Sequence, residues 1–95
     1  MNTYRTQVKI VADVLSTTKD FGESEDGVGV TMLLRKANLS YSRLVIMLKD
    51  LVDSGLLLEL EQQRGSRYRI SERGIQFLQA YSRFEEFAHA YGLRI

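Results

Sequence analysis

The chain has no cysteine, and that single absence removes several chemistries together. Disulfides, thiolate nucleophiles, thiolate zinc sites and iron–sulfur clusters are all excluded within it. Histidine occurs once, at His89. One chain therefore cannot assemble a catalytic histidine pair or a multi-histidine metal centre. Proline is also missing, so no helix is kinked from that source. No apolar run approaches the roughly 20 residues needed to cross a bilayer. The stretch Met1, Asn2, Thr3, Tyr4 and Arg5 lacks the apolar character of a secretory signal. Tandem repeats, low-complexity tracts and Gly/Ser linkers are absent. The expectation is one soluble cytoplasmic domain, with no membrane partner and no metal, cofactor or small-molecule ligand evident.

What is present fits that frame. The 95 residues are 44% hydrophobic and 26% charged, enough for one modest core. A core of that size makes association between copies unsurprising. Thirteen basic and twelve acidic residues leave a net charge of +1. The total conceals a polarity along the chain. Residues 1–26 carry three basic and five acidic side chains, a balance of −2, and residues 27–95 carry ten and seven, a balance of +3.

Periodicity predicts the elements. Tyr4, Val8, Val11, Val14 and Leu15 recur at spacings of three and four, a helix over 3–18 with Thr3 as its N-cap. Residues 19–29, rich in glycine and acids, read as a solvated loop from which Phe21 returns to the core. A short helix over Val30–Lys36 turns inward Leu33, Leu34 and Ala37. After the turn at Asn38-Leu39-Ser40, Ser40 caps a third helix, about 41–54, whose stripe is Leu44, Leu48, Leu51 and Val52, with Tyr41 and Val45 on its margins. Gly55 ends it as a left-handed residue. The period then changes to two. Leu58 and Leu60 alternate with Glu59 and Glu61, and Tyr68 and Ile70 with Arg67 and Arg69, around a turn containing Gly65. That is a β-hairpin with an outer face acidic on one strand and basic on the other. Ser71 caps a last helix running to about Tyr91, with Gly74 allowing close packing against the hairpin. The order α-α-α-β-β-α is mostly helical with a small hairpin, the winged helix-turn-helix arrangement. The domain is expected over 1–74 with its wing at about 56–70, and a pairing helix continuous with it over 75–95.

The run Val30–Leu44, with Lys36-Ala-Asn-Leu-Ser-Tyr41 at its centre, then Leu48, Leu51 and Gly55, resembles the helix-turn-helix of archaeal winged-helix DNA-binding proteins. Tyr68-Arg-Ile-Ser-Glu-Arg-Gly74 resembles their second wing strand and the start of their last helix. The resemblance covers about residues 3–92. It implies double-stranded DNA as partner, a nucleoid-associated location, and a homodimer paired through the last helix as an antiparallel coiled coil. Two departures stand out: the acidic loop at 20–26 is longer than usual, and the last helix is short.

In such a pair the second helix enters the major groove with its N-terminal end. The outward residues near that end are Ser42, Arg43, Ile46 and Met47, then Lys49. Arg43 suits a bidentate contact to guanine, Ser42 a phosphate or base edge, and Ile46 a thymine methyl. Met47 fits core packing somewhat better than reading. Ser40 and Tyr41 open the helix. Arg64, Gly65, Ser66 and Arg67 form the wing tip, where arginine reaches phosphates or the minor groove. Arg69 is expected to be mainly structural, paired across the hairpin, and Arg67 mainly a contact residue. Arg35 and Lys36 are candidate phosphate contacts, or charges that complement the helix dipole. Transcriptional regulation is the leading role, with a protein-interaction adaptor or a low-specificity nucleoid protein as alternatives.

Phe77, Tyr81, Phe84, Ala88 and Tyr91 follow spacings of four, three, four and three, with Phe87 beside them. That heptad-type seam is the expected dimer interface, the alternative being a fold-back onto the first helix. No enzyme is expected. Gly27-Val28-Gly29-Val30 lacks the lysine and spacing of a phosphate loop. Glu85 and Glu86 point to different sides of their helix. Asp20, Glu23, Glu25 and Asp26 lack the spacing of a calcium loop.

Overall fold

The computed structural model describes residues 6–22, 26–63 and 65–93. Along the chain run α1 (Gln7–Phe21), β1 (Val28–Gly29), α2 (Val30–Ala37), α3 (Tyr41–Asp53), β2 (Leu57–Gln62), β3 (Gly65–Ile70) and α4 (Glu72–Ala90). The molecule is elongated, 48 × 31 × 21 Å.

Helix α1 begins later and ends later than its apolar spacing predicts. Thr6 is the cap, its Oγ1 accepting the Lys9 N–H at 3.1 Å. Thr3 and Tyr4 lie outside the described residues. Ala12, Val14, Leu15 and Thr18 form the buried face, and Val8 is exposed rather than inside. Thr18 is tolerated there because its hydroxyl donates to the Val14 carbonyl at 2.8 Å. Phe21 does not return to the core. It stays half-exposed, with Lys36 Nζ 5.3 Å above its ring centroid.

The end of α3 is a paired-carbonyl cap of the kind glycine favours. Gly55 at φ +83° lets its N–H reach the Val52 carbonyl at 3.0 Å, and the Leu56 N–H reaches Leu51 at 2.9 Å. At the other end Ser40 Oγ accepts the Arg43 N–H at 3.3 Å. The helix buries Leu44, Met47, Leu48 and Leu51. Met47 is thus a core residue and not an outward one. With Leu33, Ala37, Val14, Leu15, Val28, Leu57 and Tyr68 these side chains make the core.

The sheet has three strands in the order β1-β3-β2, all antiparallel. The first strand lies where only loop is expected. The hairpin register also corrects the expected faces. Leu57 sits opposite Ile70, Glu59 opposite Tyr68 and Glu61 opposite Ser66, whereas Leu58 faces Arg69 and Leu60 faces Arg67. Paired residues share a face, so both glutamates lie on the Tyr68 face and both arginines on the other. The expected ladder of acid against base does not form. Leu57 and Tyr68 are buried, and Leu58 is exposed.

Helix α4 starts at Ser71, whose Oγ accepts the Gly74 N–H at 3.0 Å and donates to the Gly55 carbonyl at 2.5 Å. A Cβ on Gly74 would collide with the Leu56 carbonyl oxygen and the Ile70 side chain, so glycine permits this approach. Further along, α4 packs on α1, and Lys9 Nζ lies 3.9 Å from Glu85 Oε2 and 3.7 Å from Asp13 Oδ1. This contact divides the expected dimer seam. Ala88 is 1% exposed within its own chain, and Phe77 packs against the core. Tyr81 is half-buried, its hydroxyl enclosed without a hydrogen-bond partner among the described residues. Ala88 is therefore unavailable to a second subunit. The spacing of four and three gathers two faces of one helix, and only Phe84, Phe87 and Tyr91 stand on the open one. Phe87 and Tyr91 are 63% and 70% exposed, their ring centroids 4.9 Å apart.

Candidate nucleic-acid interface

Helix α3 is held by its apolar stripe, and this fixes what it turns outward. Leu44, Met47, Leu48 and Leu51 are buried, so Tyr41, Ser42, Arg43, Val45, Ile46 and Lys49 are all exposed. Tyr41 and Ile46 are 62% and 63% exposed. The expectation placed Val45 on the margin of the buried stripe. It belongs to the outward face, and its spacing of three from Ser42 and four from Lys49 is the signal for that. The serine that caps the helix, Ser40, is exposed, although its Oγ is engaged by the Arg43 N–H.

Beside this face an open groove of about 920 Å³ runs between the hairpin and α2. Arg35, Tyr41, Gly65, Ser66 and Arg67 all line it. The structure therefore gathers five of the sequence-predicted residues from three elements. It also adds Gln62, at the end of β2, and Gln63 of the turn, polar residues that carried no pattern in the sequence. Lys36, Ser42 and Lys49 do not line the groove. A smaller groove of about 190 Å³ brings Arg43 and Ile46 against Gln7, Ile10 and Leu39. Arg64 falls outside the described residues.

Hydrogen bonds commit two of these side chains within the chain. Arg67 donates from Nε to the Asp26 carbonyl at 2.7 Å and from Nη2 to the Gly27 carbonyl at 2.9 Å. Its guanidinium ties β3 to the segment leading into β1, whereas the expectation made Arg67 mainly a contact residue. Ser66 Oγ donates to Glu59 Oε2 at 2.5 Å. On the same face, burial raises the Tyr68 pKa above the ordinary 10.0, and the charge of Glu59 raises it further. Arg35, Lys36, Arg43 and Lys49 are exposed cations on α2 and α3, while Asp50 and Asp53 are exposed at the far end of α3. The positive charge is therefore concentrated toward the start of α3.

An exposed helix of this width matches the width of a DNA major groove, about 12 Å. Among the described residues no three His, Asp or Glu side chains are placed to hold a metal ion. Among them, too, no helix is long and apolar enough to cross a membrane.

A family model described as winged helix-turn-helix matches residues 4–89. The chain belongs to the winged helix-turn-helix family. In this winged helix α2 and α3 form the helix-turn-helix pair, and β2 and β3 form the wing. The crystal structure of Sso10a-2, a DNA-binding protein from Sulfolobus solfataricus, superposes on the winged helix with a TM-score of 0.76. The match covers 92% of this chain and 85% of that one at 22% identity, a likeness of fold. No curated protein matches the winged helix by sequence.

Proposed function

We propose that this winged helix binds double-stranded DNA sequence-specifically as a homodimer and regulates transcription in the cytoplasm, associated with the nucleoid. The observation that carries the reading is the outward face of α3. Its first turns present Tyr41, Ser42, Arg43, Val45, Ile46 and Lys49, all exposed, beside a groove lined by Arg35 and the wing. In this reading α3 enters the major groove, Arg43 and the residues around it meet base edges, and Arg35, Lys36 and Lys49 meet phosphates. The DNA-binding description of Sso10a-2 agrees with it. Arg67 contributes mainly by holding the wing in place. The exposed rings of Phe84, Phe87 and Tyr91 supply the contact between subunits.

A gel-shift titration across salt tests the proposal. Each phosphate contact adds about 0.9 to the slope of log affinity against log salt. Arg35→Ala with Lys49→Ala is expected to weaken binding and flatten that slope by about two contacts. Unchanged affinity and slope in this variant contradict the proposal.

A further inference from the structure

We infer that the reading face of α3 selects thymine by its methyl group. This deepens the DNA-binding reading and rests on it. Val45 and Ile46 stand exposed at the centre of the outward stripe, between Ser42 and Lys49 at spacings of three and four. Neither helps to build the core, which α3 supplies from Leu44, Met47, Leu48 and Leu51. Two branched apolar side chains in water at the middle of this face are unfavourable unless something apolar covers them. In the major groove the apolar group on a base edge is the C5 methyl of thymine. Helix α3 contains no asparagine or glutamine, the side chains that pair with adenine through two hydrogen bonds. Its polar readers are Ser42, Arg43 and Lys49, of which Arg43 is the one suited to guanine in the first turn. The chemistry left for the centre of the face is contact with methyl groups. Tyr41, also exposed, widens the apolar area at the start of the helix.

Fluorescence anisotropy with equal-length duplexes isolates the methyl group. Alternating d(AT) and d(AU) differ only at C5 of the pyrimidine, as do alternating d(IC) and its 5-methylcytosine form. The protein is expected to bind each methylated duplex more tightly, by about fourfold for each methyl contacted. The double variant Val45→Ser with Ile46→Ser is expected to lose that difference while keeping its fold by circular dichroism and its salt slope. Equal binding of methylated and unmethylated duplexes by the unaltered protein overturns this inference and leaves DNA binding intact. Full discrimination retained by the double variant overturns it as well. Failure to bind these duplexes and a pool of mixed-sequence duplexes alike overturns the underlying functional reading.

Discussion

Arg67 donates from Nη2 to the carbonyl of Gly27 at 2.9 Å, across 40 positions of sequence. With the second bond, from Nε to Asp26, it pins the end of the acidic loop against the wing. Gly27, at φ +68°, lies so close to the Tyr68 backbone that a side chain there would press on its carbonyl. The two-residue strand β1 depends on this pair of contacts. Arg67→Ala is expected to destabilise the fold by about 1–2 kcal/mol, a range reduced for partial exposure. Arg67→Lys should recover little, because an ammonium cannot reproduce the two-pronged contact. Urea unfolding gives the magnitude, and faster amide exchange at Val28 locates the effect.

Gly74 makes a prediction opposite to helix propensity. Alanine in a helix interior is favoured over glycine by about 1 kcal/mol. Here the added Cβ meets the Leu56 backbone, so Gly74→Ala is expected to destabilise by about 1–3 kcal/mol. Thermal unfolding decides it, and a more stable variant would show that α4 does not approach the wing so closely.

Helix α4 separates two kinds of aromatic and small residue. Phe87→Asp, on the open face, is expected to leave the fold intact and yield a monomer by light scattering, and Phe84→Asp likewise. Ala88→Asp places a charge at a position only 1% exposed and is expected to lower stability by about 3 kcal/mol. A Phe87→Asp protein that stays dimeric removes α4 as the interface.

Tyr68 predicts a loss of stability in alkali. Burial, then Glu59, raises its folded pKa above the unfolded value of 10.0. The neutral phenol is thus favoured in the fold. The stabilisation is complete below about pH 10 and declines as pH rises through the folded pKa. Tyr68→Phe has no proton to lose, so its stability relative to the parent should rise across that window. Parallel urea titrations at neutral and alkaline pH measure it.

The caps were legible because they are local. Ser40, Gly55 and Ser71 each cap through a bond to a residue within four positions, in the role its type and place predict. The wing faces were not, because Leu56, Leu57, Leu58 and Leu60 give apolar residues at both parities. Only pairing with β3 decides which of them turns inward, and that is a contact between strands. Strand β1 escaped notice since two residues carry no period. In α1 the expected cap is Thr3, and the described structure uses Thr6. Along α4 a four-three spacing gathers buried Ala88 with the exposed Phe84 and Tyr91, so spacing alone does not separate them. Most outward residues of α3 follow from its core stripe, whereas the commitment of Arg67 to distant carbonyls has no trace in local sequence.

DNA binding through α3 is tested most directly by a map of the DNA-contacting surface. Amide chemical shifts of ¹⁵N-labelled protein are followed while duplex DNA is added. DNA binding through α3 and the wing should give the largest changes at Tyr41–Lys49, with further changes at Arg35 and at Gln62–Ser66 of the wing, and little change at Phe84, Phe87 and Tyr91. Changes concentrated on α4, or none at saturating duplex, would contradict it.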